Sequence, residues 1–531
     1  MSDTTDSGHS DGLSHGRHSN LNDIDTIHTI TLSTLDQGMP RHYTRFCLAF
    51  SLGDTSAFEA ISRLRAFFQR TFQVHPWLAG YACPVKGDSL PGHQLEIRYS
   101  RRDVENFEIK IRDQTETFSL SYRELCDLGM PPSKIPRELV SSCPDRRPDT
   151  EPGLILDVTV NIIRGGLLVA LFLHHGVTDG ATMGTIIGGE LCSHIKHTVA
   201  LSPEGLAQAA HDEMSTREPL SRVTANQAIG QHFEYRPALR ALNMTPPPPL
   251  GPSPTAEQVA SHIFFFPDSK LRLLKTTLNA LVHASTTPEI PWVTTHDALQ
   301  SLLWQHLTRA RAPSLKSSRT TLPQKSTLLI PVNIRKRIKP PLPPHYMGGA
   351  VALAPASVTV DSLLGPPASS HDLEEPAQQL ISTAYLLNTC IVIHTAISRC
   401  EDTYLREVLA LTNQQDSCRN MVDLNLDTLS GLDLCITSWA VLPIFGPIPG
   451  RENCSGDMGM GLGLPDFIRK PWSRDAGGCI ILPKDPRRRD AGVGDGQGES
   501  GLEVLVQLKT EDMQRLVEDR DFMAHVGRVI D

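Results

Sequence analysis

The sequence of 531 residues lacks an uninterrupted apolar run of the roughly 20 residues that a membrane-spanning helix needs. Its best short run, 167–173, is flanked by Arg164 and His174. Residues 1–20 are mostly Ser, Gly, His and Asp, without the apolar segment that marks a secretory signal. We therefore expect no membrane partner and a cytoplasmic location.

The chain also lacks an excess of basic residues, because 50 Lys and Arg stand against 59 Asp and Glu and give a formal net charge of −9. Proteins that bind nucleic acid usually carry a basic face that neutralises phosphates. The composition does not indicate such a face. We expect no nucleic-acid partner.

Paired cysteines are missing as well. The 11 cysteines occur singly, and none belongs to a CxxC motif. This pattern favours reduced thiols and is against a disulfide framework or a zinc ribbon. No HExxH or GxSxG motif occurs, so nothing indicates a zinc protease or a serine hydrolase. We expect no metal site.

Apolar residues make up 40% of the chain, enough for a large core, and its length suggests more than one domain. A helix is predicted after Ser56 and should end before Pro76. The β-branched and aliphatic runs 154–163 and 167–173 predict a buried hairpin. The Pro-rich stretch 245–254 is the best candidate for a linker, since proline cannot continue a helix or a central strand. Strands and helices are mixed on both sides of it, which indicates an α/β or α+β protein of two domains.

These features predict the following division of the chain. A disordered tail is expected at 1–22, a first domain at 23–230, a crossover linker at 231–258 and a second domain at 259–531. In the second domain the patterns predict strands at 259–266, 326–333, 432–442 and 502–508, and helices at 294–309, 376–399 and from Glu511.

The most informative motif is HHGVTDG at 174–180, which follows the second strand of the predicted hairpin and precedes a predicted helix. A histidine at a strand end is held rigidly, and a neutral imidazole can take a proton from a hydroxyl or an amine near neutral pH. The neighbouring glycines, including Gly180, let a substrate approach closely. Asp179 would cap the helix or form a buried ion pair. By chance alone, about one HxxxD is expected in such a chain, so a core histidine beside a capping aspartate is the alternative.

The motif resembles the HxxxD motif of the BAHD acyl-CoA-dependent acyltransferases, in the form seen in fungal secondary-metabolite members. Other segments resemble the family in its own order: LxxLDQ from Leu32 with HYTR from His42, PxLAG from Pro76, THDAL from Thr295, PVNIRKRIKPPLPPHYMGG at 331–349, ITSW from Ile436, and DMGMG from Asp457. The matches span most of the chain.

This resemblance implies two chloramphenicol-acetyltransferase-like domains, each a mixed sheet flanked by helices and joined by a long crossover. It implies an enzyme, an acyltransferase that uses acyl-CoA as co-substrate, with acetyl-CoA the expected donor and no resident cofactor. The acceptor would be a hydroxyl of a specialised metabolite such as a terpenoid or polyketide alcohol. Both substrates would meet in a channel at the domain interface of a monomer.

The resemblance also implies residue roles. His175 would be the general base, acting directly on the acceptor, and His174 would be a packing or orienting neighbour and not a second base. Thr437 would stabilise the oxyanion, with Trp439 beside it. The remaining residues would be structural. Asp179 would pair with Arg335, and a loop near the CoA end would contain Asp457, Gly459 and Gly461.

The DMGMG segment departs from the family's DFGWG, because Met458 and Met460 replace Phe and Trp. About nine extra residues precede Asp457.

Other functions remain as alternatives. HHxxxDG is also the motif of peptide-synthetase condensation domains, which take acyl groups from carrier proteins. An N-acyltransferase or a non-catalytic relative would carry the same fold. The VNIRKR and DMGMG segments favour the CoA-dependent family.

Overall fold

The computed structural model describes residues 26–85, 94–144, 150–188, 198–222, 258–286, 288–318, 321–343, 346–365, 375–413, 431–442, 444, 460–471, 478–485, 487 and 499–531. The predicted tail, the Pro-rich stretch 245–254 and all but Gln258 of the predicted linker lie outside these residues, and the predicted domain boundaries remain a prediction.

The strands are β1 (His28–Thr31), β2 (Tyr43–Ser51), β3 (Tyr81–Pro84), β4 (Leu95–Tyr99), β5 (Lys110–Asp113), β6 (Gly153–Leu154), β7 (Leu156–Ile163), β8 (Gly166–His174), β9 (Val259–Pro267), β10 (Lys325–Asn333), β11 (Val351–Thr359), β12 (Leu434–Ser438), β13 (Phe467–Arg469), β14 (Gly478–Ile481), β15 (Gly501–Lys509) and β16 (Arg528–Ile530).

The helices are α1 (Thr34–Gln37), α2 (Ala57–Val74), α3 (Arg101–Glu105), α4 (Tyr122–Asp127), α5 (Arg137–Val140), α6 (Gly180–Ile187), α7 (Pro203–Arg217), α8 (Asp268–Ala284), α9 (Thr295–Ser318), α10 (Val360–Leu364), α11 (Glu375–Arg399), α12 (Asp402–Asn413), α13 (Thr510–Glu518) and α14 (Arg520–Met523). The α/β class is confirmed.

The predicted hairpin is confirmed as β7 and β8, which pair antiparallel with Ile163 opposite Gly166. β8 lies inside a five-stranded sheet of order β13-β2-β8-β7-β5, and all of its residues are buried. Because both faces of this strand are covered, its sequence is a continuous apolar run and does not alternate. The strand delivers the HHGVTDG motif at its carboxyl end.

Two further sheets complete the fold. A four-stranded sheet has the order β1-β4-β3-β6, and a seven-stranded sheet has the order β11-β10-β12-β14-β15-β9-β16. Strands β10, β12 and β14 run parallel while the remaining pairs of the large sheet run antiparallel, so the sheet is mixed. Helices α8, α9, α11 and α13 form contacts with one another or with this sheet, which confirms a mixed sheet flanked by helices.

The two halves of the chain share strands and core. β13 comes from the second half of the sequence but pairs with β2 of the five-stranded sheet, with Ile468 opposite Leu48. The core around α2 likewise includes Ile263 and Trp439 from the second half. The halves therefore form one packed body around their interface.

The pattern-based predictions of the second half hold with shifted ends. The strand predicted at 432–442 is too long, because β12 stops at Ser438. Trp439 then begins a turn in which the amide of Leu442 donates to the Trp439 carbonyl at 3.0 Å. The helix predicted at 294–309 runs on to Ser318.

One helix carries a long apolar stretch. Residues Leu380–Arg399 of α11 have the length and composition that a membrane-crossing helix would need. The same stretch packs against α9 and β11, as the helix of a globular domain does. We therefore assign α11 to the helical layer of the large sheet.

Candidate active site

His175 lies just beyond the end of β8, and its backbone is fixed to the neighbouring strand. Its amide donates to the carbonyl of His42 at 2.8 Å. Its ring nitrogen Nδ1 lies 3.0 Å from the carbonyl oxygen of Thr178. A carbonyl can only accept, so Nδ1 carries the proton in the neutral ring and Nε2 is left as the basic nitrogen. His175 is thus oriented as a proton acceptor.

The flanking histidines occupy different environments. The rings of His42 and His175 meet edge to face with centroids 5.3 Å apart, and both line the same cavity. The ring of His174 is buried and packs edge to face on Tyr43 at 5.3 Å. His174 is absent from the cavity lining among the described residues. This position agrees with a packing neighbour and not with a second base.

Asp179 performs both of the structural roles considered from the sequence. It is the N-cap of α6, where its Oδ1 accepts from the amide of Thr182 at 3.0 Å. Its carboxylate also meets Arg335 in a bidentate ion pair, with Nη1 2.8 Å from Oδ2 and Nη2 3.0 Å from Oδ1. The amide of Ala350 donates to the same carboxylate at 2.9 Å. Asp179 therefore faces the second half of the chain and holds the HxxxD loop to it.

Burial alone would raise the pKa of the Asp179 carboxyl. The Arg335 guanidinium and the amides of Ala350 and Thr182 outweigh it, so the pKa lies below its ordinary value of 3.8. Arg335 also donates to the carbonyl of Gly348 at 2.8 Å and lies over the ring of Tyr346. The carboxylate is ionised at neutral pH.

A second buried ion pair, which sequence reasoning missed, lies behind the same loop. Arg217 Nη1 is 2.9 Å from Asp36 and also donates to the carbonyl of Val177 at 3.1 Å. Arg217 Nε donates to Glu213 at 2.9 Å. Asp36 in turn accepts from the amide of Gly349 at 2.8 Å. The network joins α1, α7, the HxxxD loop and the turn before β11.

Only Asp36 of this network was visible from the sequence, inside the LxxLDQ segment. Glu213 and Arg217 are spaced i, i+4 on α7, which is the usual pattern of a solvent-exposed helix face. Both are instead buried, and Arg217 is only 1% exposed. No local signal distinguishes the two cases.

A cavity of about 580 Å³ lies where the two halves meet. Its lining comes from both: β2, His175 and Gly180 from the first half, and β10, β11 and β12 from the second. Apolar side chains predominate, with a few polar groups among them. A cavity of this kind suits a small organic molecule.

Thr437 and Trp439 line the cavity opposite β2. Thr437 is held in β12 opposite Ile480. The indole of Trp439 stacks on Phe46 of β2 with ring centroids 4.1 Å apart, and Gly180 lies against its edge. The structure thus brings His175, Thr437, Trp439 and Gly180 to one cavity, while their chemical roles remain predictions.

The DMGMG segment is described only in part, since Asp457 and Gly459 lie outside the described residues. Gly461 has φ = +70°, a conformation that favours glycine, and its carbonyl accepts from Arg63. Met460 is fully buried in the core around α2. Gly461 is therefore a structural turn residue away from the cavity lining.

Within the described residues, no group of three or more His, Cys, Asp or Glu side chains is arranged to hold a metal ion. The proton acceptor, the hydroxyl of Thr437 and the apolar walls are instead a set suited to transfer of an acyl group between two organic substrates.

Comparison with known families gives a match to the model of the Transferase family over residues 119–443, more than half of the chain. A second model, the trichothecene 3-O-acetyltransferase-like N-terminal domain, matches residues 42–190. Both matched ranges include the HxxxD motif.

Among curated proteins, the chain is 25% identical over 518 residues to the O-acetyltransferase ptmV of Penicillium ochrochloron, covering 92% of this chain and 94% of that one. It is 24% identical over 519 residues to the eremophilane O-acetyltransferase prx11 of Penicillium rubens, covering 92% and 96%. The fold matches the TRI101 structure of F. sporotrichioides complexed with coenzyme A and T-2, with a TM-score of 0.67 at 20% identity over 95% of this chain and 100% of that one.

The ion pair of Asp179 leads to a first prediction. Asp179→Asn leaves the buried Arg335 without its counter-charge, so we expect a loss of about 3–5 kcal/mol in the free energy of unfolding at neutral pH. The pKa of Asp179 is lower in the folded state than its ordinary value of 3.8. The extra stability of the wild type over the variant is therefore fully present above the ordinary pKa and is lost as the pH falls through the folded-state pKa. Denaturant unfolding of both proteins, from neutral pH to about pH 3, measures the difference. A difference that stays constant with pH would contradict the assignment.

The Asp36 network gives a second prediction. Asp36→Asn removes the charge opposite Arg217 and should also cost about 3–5 kcal/mol, with a lower kcat because the loop around Val177 loses a fixed anchor. Asp103→Asn is a matched control, since the hydrogen bonds of the Asp103 side chain within the described residues belong to the capping box of α3, and it should cost about 1 kcal/mol or less. Equal effects of the two substitutions on unfolding and on kcat would show that the Asp36 network does not hold the site.

Proposed function

Since the chain belongs to the Transferase family, the family of BAHD type, we propose that it is an acyl-CoA-dependent O-acyltransferase. The acyl group is acetyl, and the acceptor is a hydroxyl of a specialised metabolite such as a terpenoid or polyketide alcohol. The observation that carries this proposal is His175: its Nδ1 is fixed by the Thr178 carbonyl, and its ring lines the cavity between the halves.

The geometry supports direct transfer within a ternary complex. His175 Nε2 takes the proton of the acceptor hydroxyl while the oxygen attacks the thioester carbonyl. The tetrahedral oxyanion accepts a hydrogen bond from the Thr437 hydroxyl. Collapse breaks the carbon–sulfur bond, and the proton held by His175 passes to the leaving sulfur. The ester and free CoA result, and His175 returns to its neutral form.

Both substrates are transient, so acyl-CoA is a co-substrate and not a resident cofactor. The relatives support the choice of acetyl and of a hydroxyl, because ptmV and prx11 are named O-acetyltransferases. The eremophilane named for prx11 is a terpenoid skeleton, which supports an acceptor of similar chemical class for this chain.

We further propose that the protein acts as a monomer in the cytoplasm. The cysteines of the described residues support reducing conditions, because none of them is joined in a disulfide. Six of them are buried, which is common for structural cysteines.

The test is release of free CoA from acetyl-CoA in the presence of a pool of terpenoid and polyketide alcohols. We expect turnover by the wild type and a loss of about 10²–10⁴-fold in His175→Ala, the usual cost of a missing general base. His211→Ala, at an exposed histidine of α7, is the matched control and should retain activity. Mass spectrometry of the product identifies the acyl group and the acceptor.

Equal release of CoA by wild type and His175→Ala would contradict the role of His175. A parallel reaction with an acetylated phosphopantetheinyl carrier protein tests the condensation-type alternative. Transfer from the carrier alone, with none from acetyl-CoA, would replace the proposed function with that alternative.

A further inference from the structure

One imidazole on the cavity wall has no task in the mechanism above. His296 is the second residue of α9 and lines the cavity, while the next residue, Asp297, points into the helical layer, where it pairs with His394 at 2.9 Å. In the described part of the chain, no hydrogen bond is formed by the His296 ring. Its two nitrogens are therefore available to a ligand.

His296 belongs to a distinct part of the lining, which we call the α9 wall. This wall comprises the lining residues of α9, α11, β10 and β11 and those of α1, the loop after it and α12. α9 contacts α11, α11 contacts β11, β11 pairs with β10, and α1 contacts α12. Its apolar members are Leu35, Met39, Val332, Val351, Leu353 and Ile397. Such a surface favours a ligand with a largely hydrocarbon skeleton.

The other polar side chains of the α9 wall are already engaged within the protein. The Thr34 hydroxyl donates to Asn413 at 2.8 Å, and the Thr412 hydroxyl donates to the carbonyl of Val408 at 2.8 Å. The side-chain oxygen of Asn333 accepts from the amide of Arg335 at 3.1 Å. Among the described residues, each of these three side chains thus forms a hydrogen bond within the protein, whereas the His296 ring forms none.

The imidazole is neutral under ordinary conditions. Burial lowers the pKa of His296, and the attraction of Asp297 offsets this only in part. A neutral imidazole has one N–H donor and one accepting nitrogen, so it can pair with a carbonyl, an ether or a hydroxyl. A bound ligand that covers this half-buried ring without pairing with it would leave a polar group unpaired, which costs affinity.

We propose that His296 determines acceptor specificity by a hydrogen bond to a second oxygen of the acceptor. This inference rests on the proposed O-acyltransferase function and narrows its substrate class. The acceptor is an uncharged alcohol with an apolar skeleton and at least one further oxygen function, remote from the hydroxyl that is acylated.

The test uses pairs of bicyclic sesquiterpenoid alcohols that differ only in a ring ketone. We expect the wild type to have a kcat/KM about tenfold higher for the keto alcohol than for its deoxo analogue, mainly through KM. In His296→Phe, which keeps a ring of similar size, the preference should fall to below about twofold, because kcat/KM falls more for the keto alcohol than for the deoxo analogue. His296→Gln, which retains a donor and an acceptor, should restore part of the preference.

Controls separate this inference from the proposed function. His283→Phe makes the same change at an exposed position of α8 and should keep the preference. Thermal unfolding verifies that each variant folds. If the keto/deoxo ratio of kcat/KM is the same in the wild type and in His296→Phe for every pair, the role of His296 is refuted while the acyltransferase function stands. The same holds if the substitution lowers kcat/KM for both members of each pair by the same factor.

A measurement without turnover completes the test. Binding of the corresponding ketone and hydrocarbon, which lack the reactive hydroxyl, is measured by quenching of tryptophan fluorescence. Tighter binding of the ketone to the wild type, lost in His296→Phe, supports the hydrogen bond of His296 to a ligand oxygen independently of whether an alcohol of the panel is acylated. Equal binding of both compounds to the wild type overturns it.

Discussion

The bidentate ion pair between Asp179 and Arg335 is the contact on which the site depends. Asp179 lies at the start of α6 and Arg335 just after β10, so the pair crosses the interface between the halves of the chain. Both side chains are largely buried. A buried guanidinium must be paired, and Arg335 also donates to the carbonyl of Gly348. The amide of Ala350 donates to the carboxylate of Asp179. Because the bidentate pair joins Asp179 to Arg335, it holds the HxxxD loop against the turn before β11.

The catalytic geometry follows from this constraint. β8 is rigid because it is buried on both faces, and it holds His175 at its carboxyl end. The ion pair of Asp179 and Arg335 fixes the HxxxD loop that follows the strand. The second network around Arg217 holds the carbonyl of Val177 within that loop. The cavity opens between surfaces that these contacts keep at a set distance, with His175 and Thr437 facing it from different halves. The proposed direct transfer between two bound substrates needs this kind of shared site, since the base must deprotonate the acceptor hydroxyl as it attacks the carbonyl whose oxygen the oxyanion donor stabilises.

Local patterns in the sequence predicted the hairpin of β7 and β8 and the helix α2. An apolar run that forms a buried strand and a proline that ends a helix are both visible within a few neighbouring residues. The site residues followed from motifs in a known order, including the Asp179–Arg335 pair. The burial of Arg217 could not be predicted, because a Glu–Arg pair one turn apart has the same sequence whether it is exposed or enclosed. The pairing of β13 with β2 was missed for a related reason: a three-residue strand that crosses between the halves has no periodicity of its own.

The most direct test of this account is a double-mutant cycle on the central ion pair, with acyl transfer as the readout. Asp179→Asn, Arg335→Met and the double variant are compared with the wild type for kcat/KM with acetyl-CoA and an accepted alcohol. If the two residues act as one unit, the double variant is no worse than the poorer single variant, and the coupling energy is about 2 kcal/mol or more. Independent, additive losses would contradict the claim that this ion pair fixes the active-site geometry.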